Sequence, residues 1–173
     1  MILTYYEILE NIENGKIHIS PFYEAMLNPN SCDYRIDNNL LEIDDIPVDP
    51  KKKTSYHKID FTDDGYVLSP NKTYLANTFE EIGSDFFVPS LMGKTSLGRL
   101  GLFLQITADL GNLGAKHKWT LELKAVQPLK IYPMMRIGQI SFWKPYGDSE
   151  MQYSGKYDKF STAESSEIYK EFI

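Results

Sequence analysis

Between Tyr34 and Pro145 the chain is broken every few residues by proline, glycine or paired asparagine, and the runs between these breaks are short. "YRIDNNLLEI" (Tyr34–Ile43) carries an Asn38-Asn39 turn between two apolar stretches, and Ser69-Pro70-Asn71 separates "YVL" from "TYLANTF". "LGLFLQITA", "KWTLELKAV", "LKIYP" and "RIGQISFWKP" follow. Val, Ile, Tyr, Phe and Thr dominate these runs, and such side chains suit a pleated, half-buried surface. Many short strands at this spacing predict a sandwich or a distorted barrel. No internal repeat is visible.

The N-terminus reads differently. Ile8, Leu9 and Ile12 recur at helical spacing, with Thr4 as N-cap and Gly15 as the stop. Two segments are too polar to build a core. Residues 44–65, with two prolines and the Lys51–Lys53 run, read as a surface excursion. The tail from Tyr146 onward either stays disordered or folds over another part of the protein.

A chain of 173 residues with 42% hydrophobic content is expected to fold as one domain. Its net charge of −6 argues against nucleic-acid or membrane-surface partners. A small anionic ligand in a local basic pocket remains compatible with that balance. Glu7, Glu10 and Glu13 interrupt the N-terminal segment, unlike a signal peptide, and no run approaches the roughly 18 apolar residues of a membrane span. A cytoplasmic location is the expectation.

Several familiar chemistries fail on residue content. One cysteine, Cys32, and three scattered histidines, His18, His57 and His117, cannot supply a zinc deaminase signature. The histidines are expected at the surface, and nothing beside Cys32 marks it as a nucleophile. No G-x-S-x-G elbow is present.

"LMGKTSLGRLGL" (Leu91–Leu102) imitates the end of a phosphate-binding P-loop through Gly93-Lys94-Thr95. A P-loop needs glycine five residues before Gly93, where Val88 stands, and a helix afterwards. The following "LGLFLQITA" has β character instead. The P-loop reading fails.

The order of segments nevertheless resembles a known family. "MILTYYEILENIENGKIHISPF", "LNPNSCDYRI", "GYVLSPNKTYLANTFE", "GKTSLGRLGLFLQITA", "WTLELKA", "RIGQISFWKP" and "GKYDKFSTAESSEIYKEF" occur in sequence. Together they look like the dCTP deaminase family, which shares its fold with trimeric dUTPases. The resemblance implies a mainly β, distorted jelly-roll or β-barrel of the dUTPase-like type, with a short N-terminal helix. It implies one domain over residues 1–173, with 146–173 as a C-terminal lid, and a homotrimer with active sites between subunits. It further implies zinc-independent deamination of a deoxycytidine nucleotide, with Mg2+ entering on the phosphates.

Residue by residue, the resemblance points to Glu122 as the catalytic carboxylate, with Arg99 and Ser96 beside it. Hydrolytic deamination needs a base to activate water and an acid to protonate the ring and the amine. One carboxylate can serve both steps in a partly desolvated pocket. Strand alternation sets Thr120, Glu122 and Lys124 on one side. Arg99 keeps its charge and can orient groups without competing for the proton. Lys94, Thr95 and Ser96 would bind phosphates, and Ala108 the base. Asn112 and Thr120 would bind the nucleotide, and Tyr153 and Lys156 would close over it.

Two positions depart from the family pattern. Leu110 stands where a second arginine is expected, and Asn112 where an aspartate contacts the sugar. Asparagine can accept a hydrogen bond but cannot act as a base, which counts against dUTP pyrophosphatase activity. Leu113-Gly114-Ala115 replaces Pro-Gly-aromatic, and Phe160 and Thr162 replace a glutamine and a glycine in the tail. A divergent deaminase is the leading expectation, and a non-catalytic or regulatory nucleotide-binding trimer is the alternative.

Overall fold

The computed structural model describes residues 1–105, 108–147, 151–154 and 161–173. Helix α1 (Tyr5–Glu13) buries Ile8 completely and ends before Gly15, whose φ of +69° suits a residue without a side chain. Thr4 holds the N-cap position in extended backbone, but its hydroxyl caps nothing.

The strands follow in chain order. The first five are β1 (His18–Ser20), β2 (Leu27–Asn28), β3 (Ser31–Arg35), β4 (Asn39–Ile43) and β5 (Tyr56–Asp60). Next come β6 (Tyr66–Leu68), β7 (Tyr74–Asn77), β8 (Glu81–Gly83) and β9 (Val88–Gly93), then a single helical turn, α2 (Thr95–Gly98). The last five are β10 (Leu102–Leu104), β11 (Lys116–His117), β12 (Thr120–Ala125), β13 (Leu129–Ile131) and β14 (Arg136–Trp143).

They form antiparallel sheets. One has five strands in the order β10-β12-β7-β4-β5, and one has four in the order β2-β3-β14-β9. Smaller sheets join β1-β8-β11 and β13-β6. The two larger sheets feed one apolar core, with Leu40, Tyr74, Leu121 and Leu123 from the first and Tyr34, Leu91, Ile140 and Phe142 from the second. The sandwich expectation therefore stands, and among the described residues no strand pairing closes the sheets into a barrel. None of the helices among these residues is long and apolar enough to cross a membrane.

One local expectation needs correction, and one short element was not expected. The polar excursion of residues 44–65 contains a strand, β5, paired along its length with β4. As an edge strand with a largely exposed pattern it needs no apolar alternation, so its sequence hides it. A helical turn unmarked in the sequence lies between Gly93-Lys94 and "LGLFLQITA", whose expected β character is found in β10. It is one turn long, and Val88 sits inside β9 rather than in a glycine loop, so the P-loop reading still fails.

Candidate active site

A cavity of about 530 Å³ opens on the outer face of the five-stranded sheet. Glu122 and Thr120 of β12, Leu75 of β7, Ile43 of β4 and Tyr56 of β5 form its floor. Asn112, Ala115, His117, Lys118 and Trp119 form one wall, and Tyr153, Glu164, Ser165, Ser166 and Ile168 another.

Alternation puts Glu122 there. Along β12, Leu121, Leu123 and Ala125 are buried, while Thr120, Glu122 and Lys124 lie half-buried on the other side. Across the ladder Glu122 pairs with Leu75. Its backbone N–H donates to the Gln105 side-chain Oε1 at 2.8 Å. Gln105 is buried, has a φ of +47°, and donates through Nε2 to the Ala108 carbonyl at 3.2 Å. β10 thus leaves the sheet after Leu104, and the Gln105 side chain takes over its pairing to β12.

The described part of the tail lies on the same face. The Glu164 N–H donates to Thr120 Oγ1 at 3.1 Å, and the Tyr153 N–H donates to the Leu113 carbonyl at 2.9 Å. Lys156 and Phe160 lie outside the described residues.

His117 overturns one expectation: it is buried and lines the cavity, whereas His18 and His57 are open to solvent. Its Nδ1 lies 2.8 Å from the Lys118 carbonyl, so that nitrogen carries the proton and donates. The ring packs on Trp119 at 4.4 Å between centroids, and the Trp119 indole N–H donates to the Ile82 carbonyl at 2.9 Å. Lys118 reaches back to Asp37 at 2.8 Å. Burial would raise the Asp37 carboxyl, but bonds from Lys118, the Asn38 N–H and Asn77 outweigh it and hold the group below the usual range.

Lys94, Thr95, Ser96, Arg99 and Ala108 do not line this cavity. Thr95, Ser96 and Arg99 are exposed around α2, and Ala108 is exposed beyond β10. The Lys94 ammonium is held by the buried Asp33 carboxylate. Leu110, treated from sequence as a residue that takes an arginine's place in the pocket, is 70% exposed and outside the cavity. Cys32 is buried, and desolvation, helped by the nearby Asp33 charge, pushes its thiol up to about 12. That thiol is not a nucleophile at neutral pH.

Glu122, Thr120, Asn112 and Tyr153 are therefore brought together, and the residues around α2 are set apart from them. Gln105, Trp119 and Glu164 went unnoticed in the sequence, and His117 was expected at the surface. For Trp119, its place beside "TLEL" was a usable signal; Gln105 gave none.

A sequence model described as dCTP deaminase-like matches residues 2–145. The chain belongs to the dCTP deaminase-like family. A protein of Hathewaya histolytica described as "dCTP deaminase, dUMP-forming" is 41% identical, over 99% of this chain and 99% of its own length. A Cytophaga hutchinsonii protein with the same description is 38% identical over 99% of both. Among solved structures, the 2'-deoxycytidine 5'-triphosphate deaminase of Agrobacterium tumefaciens superposes with a TM-score of 0.64 at 21% identity. That match covers 82% of this chain and 47% of the other, so the chain spans about half of it, and the likeness shows the shared fold.

Proposed function

We propose that this chain deaminates dCTP hydrolytically and that the nucleotide leaves as dUMP, as the descriptions of its relatives state for them. The observation that carries the reading is Glu122, a carboxylate on the open face of β12 at the floor of a cavity large enough for a nucleotide. Glu122 takes a proton from water, whose oxygen bonds to C4 of the cytosine. The proton passes to the ring nitrogen; Glu122 then takes the C4 hydroxyl proton and delivers it to N4, the C4–N4 bond breaks as the C4 carbonyl forms, and ammonia leaves. Loss of pyrophosphate consumes a second water. Asn112 cannot be its base, so that step needs another group.

Arg99, Ser96, Lys94, Thr95 and Ala108 act in this proposal from a neighbouring copy. Their separation from the cavity of their own chain supports a homotrimer with shared sites, and so do the exposed apolar Leu100 and Phe103 close by in sequence and Val126, whose N–H donates to the Gly101 carbonyl. In this reading a magnesium ion enters on the phosphate and water oxygens of the nucleotide, where it would neutralise phosphate charge. Residues 146–173 serve as the lid of a single domain, with Lys156 on the phosphates, and the cytoplasm is the compartment.

The test is incubation of the protein with dCTP and magnesium, followed by assay of ammonia, dUTP, dUMP and pyrophosphate. Ammonia with dUMP, abolished in Glu122→Gln, is the expected result. Binding of dCTP without turnover would overturn it in favour of a regulatory binder. Ammonia with dUTP alone would confine the chain to deamination.

A further inference from the structure

We propose that Gln105 is a positioning residue that sets Glu122 and the Ala108 carbonyl in one register, so that the proton carrier of one site and the base partner that the same chain offers to a neighbouring copy's site are held by one amide. The inference rests on the deaminase reading above for its catalytic meaning, and on three contacts for its geometry. The Gln105 side-chain oxygen accepts the Glu122 N–H at 2.8 Å, its nitrogen donates to the Ala108 carbonyl at 3.2 Å, and its own N–H lies 3.4 Å from the Glu122 carbonyl.

The backbone explains why a side chain is needed. At Gln105, just past the last β10–β12 pair, the φ is +47°, and the side-chain oxygen rather than a ladder carbonyl accepts the Glu122 N–H. The Glu122 N–H would be left half-buried without an acceptor, and an unpaired donor of this kind is costly. A primary amide supplies an acceptor for that N–H and, on the same rigid plane, a donor for Ala108. A carbonyl oxygen has two lone pairs, so Ala108 can accept from Gln105 and still accept the exocyclic amine of a cytosine bound in the neighbouring copy's site. A shift of the amide moves both groups together, and misplacement of about 1 Å is enough to lower turnover strongly.

Three variants test this in the full-length protein. Gln105→Met keeps the length and removes both bonds; kcat for dCTP is expected to fall about 10- to 100-fold. Gln105→Glu keeps the acceptor for the Glu122 N–H but sets a carboxylate against the Ala108 carbonyl. Its expected signature is a higher KM for dCTP and an acid limb of the kcat profile moved to higher pH, because a second negative charge disfavours ionised Glu122. Gln105→Asn, one methylene shorter, is expected to recover less than half of the loss in Gln105→Met.

A merely structural role would lower the thermal midpoint of all three without splitting kcat from KM or moving the acid limb, and that pattern overturns the proposal. Amide hydrogen exchange at Glu122 supplies a readout that needs no turnover. Faster exchange in Gln105→Met than in the wild type is expected, and unchanged protection overturns the geometry even if dCTP is not the substrate. If wild-type protein shows no deamination while the exchange result holds, the deaminase reading fails and the bridging role survives.

Discussion

The Lys94 ammonium stands 2.6 Å from the Asp33 carboxylate, so a residue expected at the phosphates is already committed to a buried acid. Asn28 at 2.9 Å, Gln139 at 3.2 Å and Arg136 at 3.4 Å complete the shell around Asp33. The cluster ties β3 and β14 to Lys94, the residue just before α2. Removing Lys94 leaves the buried Asp33 carboxylate to Arg136, Asn28 and Gln139 without its nearest charge, at a cost of about 1–3 kcal/mol. Lys94→Met is therefore expected to lower the urea midpoint clearly. Adding Asp33→Asn to it should recover most of that loss, because no charge is then stranded. A role for Lys94 at the phosphates would show as a KM for dCTP that stays high in the double variant.

The same carboxylates set the acid limit of stability. Burial would raise Asp33, but hydrogen bonds from Lys94, Asn28 and Gln139 together with the Lys94 charge hold it below the usual range, as happens at Asp37. Unfolded aspartates titrate at about 3.9. A depressed folded value means the contribution is complete above that pH and is lost as pH falls through the folded value. The free energy of unfolding should thus fall from about pH 4 downward. Asp33→Asn and Asp37→Asn should each flatten that slope in denaturant titrations. An acid limb equally steep in both variants would assign it to other groups.

Strict alternation is the part of this chain that could be read without coordinates. "TLELKA" announces β12 and places Glu122 and Thr120 on one face, as found. β5 could not be read that way, because an edge strand with Tyr56, His57 and Lys58 carries no buried face to write into its sequence. His117 sits between two lysines and looks solvated, yet β11 lies against β8 and Trp119 covers the ring. Gln105 depends on a left-handed backbone and on a strand far along the chain. The resemblance set Arg99 beside Glu122, yet Arg99 lies outside the cavity that Glu122 lines.

Thr120 accepts the Glu164 N–H, and Ala163 beside it is buried. This anchors the C-terminal segment over Glu122. Thr120→Val keeps the shape and removes the acceptor, which should cost about 1 kcal/mol locally. Limited proteolysis is expected to cleave residues 161–173 faster in this variant, with little change in the global midpoint. If dCTP protects the wild-type tail and not the variant's, the segment closes over bound nucleotide. Cleavage at the wild-type rate would mean that other contacts hold it.

Gly83 controls the cavity wall from behind. It pairs with His18 of β1 on one side and Lys116 of β11 on the other. A Cβ there would stand 1.9 Å from the Ala115 carbonyl oxygen and 2.7 Å from the Lys116 Cα. Both are backbone atoms and cannot swing aside, so β11 must retreat. β11 carries His117, and Ala115 just before it also lines the cavity. Gly83→Ala is expected to destabilise by about 1–3 kcal/mol and to weaken dCTP binding measured by calorimetry. Gly98→Ala is the matched control, since a Cβ at Gly98 meets nothing within 4 Å. It should leave stability unchanged or raise it by up to about 1 kcal/mol through helix propensity. A Gly83→Ala protein with the wild-type midpoint and affinity would mean that β8 and β11 can part without disturbing the site.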